Sequence, residues 1–464
     1  MAACPAAPAM VAQSTLSGIK DLPVELIRHI CSYLSPGCFK KTTTCIHWND
    51  GQTQLSRLSK TCRRLRDIVQ PMVFHCFTDW GRTSLPRMIR LVRTLKERPD
   101  LGQHIKSIAH TEPFAGDLDP ENKKFIEDAI VDLGIPAVPK WWNVDGEGQY
   151  RLLPFEVLLT LTPNLETLDL PLDCDWDMHV IPQLVKTRPP FLTKLTDIKV
   201  SHFFIAGDRW DVSFDAVAAL LAAAPNVYTL CLPSPSSGAV GGSVLPLANL
   251  HRLLFQVNCF ISPELLTDML DSAPQLEMVA LHWDALADAY DSCEDRRTTD
   301  AWNALERRRD TLGEIRLDIR NDTEHGVTER SSMADFEKLE VLAVDGHALH
   351  SLRQAWRRKN GQARVDAFFS QFFPPSIREV TIWNPDAAEL KGAMLRFAKV
   401  AGVGRYPNLK SVVLAPSERS DRFEDSVWEN PGAWDEVKPD LEHEFGKRGI
   451  KFEIRKDSPY WMGT

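Results

Sequence analysis

Three short stretches combine residue types able to do chemistry. DCDWDMH (Asp173–His179) places the carboxylates of Asp173, Asp175 and Asp177 at alternate positions, an arrangement that invites comparison with a calcium loop. Such a loop needs glycine at its sixth position and glutamate at its twelfth, where this chain has Met178 and Leu184. The stretch therefore reads as a solvated acidic loop or an acidic contact patch. Cys38, Cys45 and His47 lie close together, but they lack the tight cysteine pair and the fourth ligand of structural zinc. GHALH holds His347 and His350 without a neighbouring glutamate to serve as a metalloprotease base. Nucleophile-elbow, Walker and dinucleotide glycine motifs are all missing from a strand–helix setting. The expectation is a non-enzymatic protein without metal or cofactor.

What remains for function is surface. Trp176, Trp283 and Trp383 each fall just beyond an expected strand, and tryptophan is a favoured interface anchor. With Asp173, Asp175 and Asp177 they are candidate substrate-binding residues on one rim. The basic runs ERRRD (Glu306–Asp310) and WRRKN (Trp356–Asn360) read as solvated helix faces. The chain carries a formal charge of −9, so no overall basic field invites nucleic acid. That charge is uneven: Ile19–Phe77 has nine Lys/Arg against four Asp/Glu, a local +5 that leaves −14 elsewhere. A basic module on an acidic body suggests an acidic protein partner for the module. The ten cysteines include no CxxC pair, the opening MAACPAAPAMVAQSTLSG reads as a disordered Ala/Pro leader, and the longest apolar run, Ala216–Ala224, is too short to span a bilayer. These features point to a cytoplasmic or nuclear protein with free thiols and no membrane association.

The elements that would position these residues fall into two patterns. GIKDLPVELIRHICSYL (Gly18–Leu34) predicts one short helix, capped by Asp21, with Pro23 in its first turn and Glu25 near the positive end of the helix dipole. Leu22, Leu26, Ile30 and Leu34 make one apolar stripe, and Ile19, Ile27 and Tyr33 a second. QLSRLSKTCRRLRDIVQPMVF (Gln54–Phe74) predicts another helix, with Leu55, Leu58, Cys62, Leu65 and Val69 on one face and Pro71 as its end. So small a core is marginal and gains stability by covering leftover apolar surface.

Together these stretches resemble the F-box motif, in the Leu-Pro-x-Glu-Leu opening, the Ile and Leu of the first helix, and the Cys-Arg-x-x-Arg-like second half. The resemblance covers residues 20–74. It implies docking on the adaptor subunit of a cullin–RING ubiquitin ligase through Leu22, Pro23, Leu26, Ile30, Leu34, Leu58, Cys62 and Leu65. Ser35–Gln54 separates the two halves by more than the connection usual in the family, an insertion that costs little closure entropy in a surface loop.

Beyond the module, Ser84–His110 reads as a helix, a break at Pro99 and a short strand. The pattern L-x-x-L-x-L then recurs from Leu165, Leu195, Val227, Leu250, Leu276, Leu312, Leu339, Ile377 and Leu409. Amphipathic helical stretches lie between, among them Pro154–Thr162, Ser213–Pro225, Ser262–Pro274 and Val365–Phe373. Alternating strand and helix at this period resembles a leucine-rich-repeat-like solenoid, although the consensus asparagine at the ninth position is met only by Asn258 among the positions compared. The whole resembles the F-box/leucine-rich-repeat-like proteins of filamentous fungi. The expected fold is α/β: a leader (1–18), a small all-α F-box module (19–77), a linker helix and cap (78–104), an irregular solenoid (105–455) and a tail (456–464). The resemblance implies the substrate-recognition subunit of an SCF-type ligase, bound through the adaptor to a cullin and through the solenoid to a protein substrate. A repeat scaffold acting outside any ligase is the alternative.

Overall fold

In the computed structural model every one of the nine L-x-x-L-x-L stretches contains a strand, and the three apolar positions of each are buried. The structure describes residues 18–19, 22–34, 48–79, 84–110, 118–135, 152–171, 178–201, 214–233, 245–255, 261–283, 298–319, 332–345, 361–383, 387–415 and 433–455. Two compact units divide the chain, one ending at Thr78 and one running from Asp79 to Gly463.

The first unit contains helices α1 (Val24–Ser32), α2 (Trp48–Ser59) and α3 (Arg63–Val73). Strand β1 (Cys76–Asp79) crosses the boundary. Ile27, Cys31, Leu55, Leu65 and Val69 form the core of the helices, with Leu22, Leu34, Leu58 and Cys62 packed partly against it. Three expectations change here. Pro23, not Asp21, is the N-cap of α1, without a side-chain cap bond. A residue preceding proline is disfavoured in helical conformation, and the first rung runs from the Ile27 N–H to the Pro23 carbonyl at 3.1 Å. Gln54–Phe74 is not one helix either: Cys62 is fully extended (φ −156°, ψ 163°), and its Sγ accepts from the Leu65 N–H at 3.5 Å to open α3. Pro71 lies inside α3 rather than ending it, and the helix there forgoes the N–H that would reach the Asp67 carbonyl. Since α2 begins at Trp48, only residues 35–47 separate it from the end of the first helical stretch. Cys38, Cys45 and His47 lie outside the described residues. Gly51 lets α2 approach α1 closely, because a Cβ there would collide with the Leu34 carbonyl oxygen.

The second unit runs α4 (Ser84–Glu97), α5 (Pro99–Gly102), β2 (Ser107–His110), α6 (Pro120–Asp132), α7 (Leu153–Thr160), β3 (Thr167–Pro171), α8 (Val180–Thr187), β4 (Asp197–Ser201), α9 (Phe214–Ala223), β5 (Thr229–Leu232) and β6 (Arg252–Phe255). It continues with α10 (Pro263–Ser272), β7 (Met278–Trp283), α11 (Thr298–Glu306), β8 (Glu314–Ile319), β9 (Val341–Asp345), α12 (Gly361–Gln371), β10 (Glu379–Trp383), α13 (Ala387–Val400), β11 (Ser411–Ala415), α14 (Ala433–Gly446) and β12 (Lys451–Ile454). The fold is mixed α/β, with a twelve-stranded parallel sheet whose strand order is the chain order. Among the described residues no helix is long and apolar enough to cross a membrane.

Register turns the repeat into a continuous core. Leu168, Ile198, Leu230, Leu253, Val279, Ile315, Leu342, Val380 and Val412 are successive Cα partners from β3 to β11. Side chains alternate between faces along a strand, so one face carries these residues against the helices and the other carries the residues between them. From β3 to β11, two consecutive N–H groups enter each strand on one carbonyl of the repeat before: Tyr228 and Thr229 on Thr196, at 2.7 and 2.9 Å, and His251 and Arg252 on Tyr228, both at 3.0 Å.

Side chains tie the units together as well. Asn164, Asn226, Asn249 and Asn408, each one residue before the leading apolar position, donate to the carbonyls of Gln103, Thr193, Pro225 and Pro375 at 2.9, 2.8, 2.9 and 3.2 Å. An asparagine ladder thus runs along the entry of the strands, and the ninth positions compared above lie outside the described residues. The run Glu306–Asp310 is solvated as its sequence suggests, apart from the half-buried Arg308, and two of its arginines also hold the neighbouring helix. Arg307 pairs with Asp271 through both carboxylate oxygens, while Arg308 donates to the Leu270 and Asp271 carbonyls at 2.6 and 2.7 Å and so closes the C-terminal end of α10. At the other end of that helix the Ser262 hydroxyl accepts from the Leu265 N–H at 3.2 Å.

Candidate functional site

Helix α1 divides its apolar residues between two faces. Ile27 and Cys31, four apart, are fully buried, and burial pushes the Cys31 thiol up. Leu26 and Ile30, also four apart, remain 48% and 40% exposed, with Tyr33 at 63% one turn further on. The stripes are therefore constituted differently from the sequence reading. Each stripe is split: Ile27 is in the core while Ile19 and Tyr33 of the same stripe are exposed, and Leu26 and Ile30 are exposed while Leu22 and Leu34 pack partly against the core.

Of the residues that the F-box resemblance nominates for adaptor docking, Pro23, Leu26 and Ile30 are exposed. Leu22, Leu34, Leu58 and Cys62 are half-buried against the module core. Leu65 is buried at 2% exposure in that core and is unavailable to a partner; its place on α3 faces the helices it holds together. Tyr33 is braced by its own helix: its hydroxyl lies 3.2 Å from His29 Nε2, and the two rings meet edge-on at 5.0 Å. Arg64 Nη2 donates to the Leu22 carbonyl at 2.8 Å and fixes the entry to α1. Arg57, Lys60, Arg63, Arg64 and Arg66 are all exposed, so the positive surplus of the module is on its surface.

The proposed tryptophan rim is not assembled among the described residues. Asp173, Asp175, Asp177 and Trp176 lie outside them, as do His347 and His350 and the WRRKN run. Trp283 ends β7, and its backbone pairs with that of Ile319. Trp383 is 6% exposed, packed with Ala343 and Ala415 on the sheet face opposite the leucine rows. Small residues on both adjacent strands leave room for the indole, and its burial removes it as an exposed anchor. Among the described residues no cluster of three potential metal ligands occurs.

Sequence reasoning passed over the row at the entry of the strands, in which Glu166, Thr196, Tyr228, His251 and Glu277 occupy equivalent positions in consecutive units. Tyr228 and His251 stack at 4.5 Å with 17° between their planes, and His251 Nδ1 lies 3.2 Å from Glu277 Oε1. The signal was available: each of these residues directly follows the first apolar position of its repeat. No family model matches the chain, and no curated protein matches it.

Proposed function

We propose that the protein is the substrate-recognition subunit of an SCF-type cullin–RING ubiquitin ligase. The three-helix module docks on the adaptor, and the strand–helix repeats, read as a leucine-rich-repeat-like solenoid, hold a protein substrate. The observation that carries this reading is the open face of α1: Leu26, Ile30 and Tyr33 are exposed while the core of the module is closed without them. Full burial of a leucine or isoleucine is worth roughly 1.5–3 kcal/mol. The half of each still exposed therefore offers on the order of 1 kcal/mol to a partner that covers it. The exposed arginines of α2 and α3 and the lysine of the turn between them favour a partner with an acidic rim. Catalysis then belongs to the other subunits of the ligase.

The test is capture of a purified ligase adaptor by the full chain. Wild-type protein should capture it, and the double variant Leu26→Asp, Ile30→Asp should lose capture while its circular dichroism is unchanged, since both side chains point away from the core. Failure of the wild-type chain to capture adaptor, or equal capture by the variant, overturns the ligase reading and favours a repeat scaffold.

A further inference from the structure

This inference rests on the reading of the repeats as the part that holds a protein substrate, and it concerns what they hold. Parallel strands lie about 4.8 Å apart, and the His251–Tyr228 stack at 4.5 Å uses that spacing as a stacking distance. Glu277 closes one end of the stack: the Tyr228 hydroxyl donates to Glu277 Oε2 at 3.4 Å, and His251 Nδ1 is 3.2 Å from Oε1. On the other side of Tyr228 the equivalent position is Thr196, whose side chain is too short to supply a further layer. Its hydroxyl turns down instead, toward Asp197 Oδ2 at 2.7 Å and the Glu166 carbonyl at 3.1 Å. Tyr228 is 40% exposed. One face of its ring is covered by His251, and on its other side stands the short Thr196, one strand short of Glu166.

The groups around that gap are mostly acidic, with Lys106 and Arg252 as the nearby cations. Glu166 pairs with Lys106, both half-exposed. Asp197 accepts from Thr196 and has no cationic partner among the described residues. Burial and Glu277 push the Tyr228 phenol up, Arg252 opposes that shift, and Asp197 adds a smaller push in the same direction as Glu277. Outside the basic module the chain has a surplus of 14 negative charges, which draws cations toward this unit.

We propose that the gap over Thr196 is a recognition slot for an arginine side chain of a protein segment. The guanidinium forms the third layer of the His251–Tyr228 stack, and its N–H edge pairs with the Asp197 carboxylate. Arginine fits better than lysine because the slot is planar on one side and offers a carboxylate at its edge; a guanidinium stacks and pairs at once, whereas an ammonium is a compact, strongly hydrated point charge.

The test uses the full-length chain and a fluorescein-labelled glycine–serine peptide with three spaced arginines. The same peptide with lysine, or with citrulline, serves as the comparison, read by fluorescence anisotropy. The arginine peptide should bind at least about fivefold more tightly than either. Tyr228→Ala and Asp197→Asn should each weaken it about threefold or more, as loss of an exposed cation–π or charge contact does. Thr196→Tyr, which fills the gap without removing any acidic group, should do the same, and Tyr228→Phe should retain binding. Equal affinity for arginine and lysine peptides, or indifference to both Tyr228→Ala and Thr196→Tyr, overturns the slot and leaves only bulk charge attraction. Adaptor capture on the same preparations separates the two ideas. A wild-type chain that captures adaptor but shows no arginine preference refutes the slot alone, and a wild-type chain that prefers arginine yet captures no adaptor refutes the ligase reading alone.

Discussion

The two compact units solve the same problem, covering apolar side chains, in opposite ways. In the sheet unit each strand–helix repeat covers the next, and the register carries one apolar row unbroken from β3 to β11. The three-helix module has no neighbour of its own kind. Its core is five buried residues, and four of the seven large apolar side chains left exposed among the described residues belong to it. A repeat array is stabilised by intrinsic terms and nearest-neighbour interfaces, so adding units removes surface. A module of this size runs out of elements before it runs out of apolar residues. The difference leaves the repeats closed on one another and the helices with an open apolar face.

The sharpest way to break that comparison is to remove a side chain on which the sheet unit depends. Leu342 is completely buried, with Ile315 and Val380 as its strand partners on either side and Leu339 at the entry of the same repeat. Leu342→Ala should cost about 2–5 kcal/mol, because a β-sheet flanked on both sides cannot collapse into the cavity. Urea unfolding followed by far-ultraviolet circular dichroism measures it. A cost below about 1 kcal/mol would mean that the rows are not the cooperative core described above.

Glu156 sharpens the same point from the polar side. It is fully buried on α7, where Oε1 accepts from the His179 N–H at 2.9 Å and Oε2 from the Ile181 N–H at 2.8 Å, at the N-terminal end of α8. Burial pushes its pKa up to about 7 against the pull of those backbone donors. A carboxyl whose folded pKa lies above its unfolded one holds its proton more tightly in the native state. The stability it contributes is complete below about pH 4.5 and is lost as pH rises through about 7. The shift corresponds to about 3 kcal/mol. Urea midpoints should therefore fall between pH 5 and pH 8 in the wild type, with a flatter profile in Glu156→Gln. Identical slopes in the two proteins would show that Glu156 is not the group responsible.

Much of this fold was legible because burial and period coincide. Leu165, Leu168 and Leu170, and their counterparts in eight further repeats, are spaced as a strand entry requires, and all are buried. Less was legible where a residue has two plausible uses. Leu65 and Leu26 look alike in the sequence, yet α3 turns Leu65 inward while α1 leaves Leu26 in solvent, a choice set by which helices pack together. Cys62 reads as one more apolar step of a helix and instead breaks it, because the extended backbone there lets its sulfur cap the start of α3. Trp383 reads as an anchor and is buried because its strand neighbours include alanines, a fact that only register reveals. The Tyr228–His251–Glu277 row was hidden for the same reason: its members lie 23 and 26 positions apart in the sequence, and parallel pairing makes them neighbours.

The smallest expected effect is the one that bears most directly on the module. Leu26 and Ile30 are 48% and 40% exposed, and the core of Ile27, Cys31, Leu55, Leu65 and Val69 closes without them. Exchanging either for serine removes about half a side chain's worth of buried surface and leaves the helix intact, although serine is a slightly poorer helix former. Leu26→Ser and Ile30→Ser, made one at a time, should therefore each change the unfolding free energy of the free chain by about 1 kcal/mol. Ile27→Ser is the matched control one position away: it places a hydroxyl where a fully buried side chain stood and should destabilise the module by several-fold more, about 3 kcal/mol or above. Hydrogen exchange of the α1 and α3 amides reads the module separately from the sheet unit. Comparable losses from the exposed pair and from Ile27 would mean that the open face contributes to the module's own fold, and the contrast between an inward-looking array and an outward-looking module would fail at its most specific point.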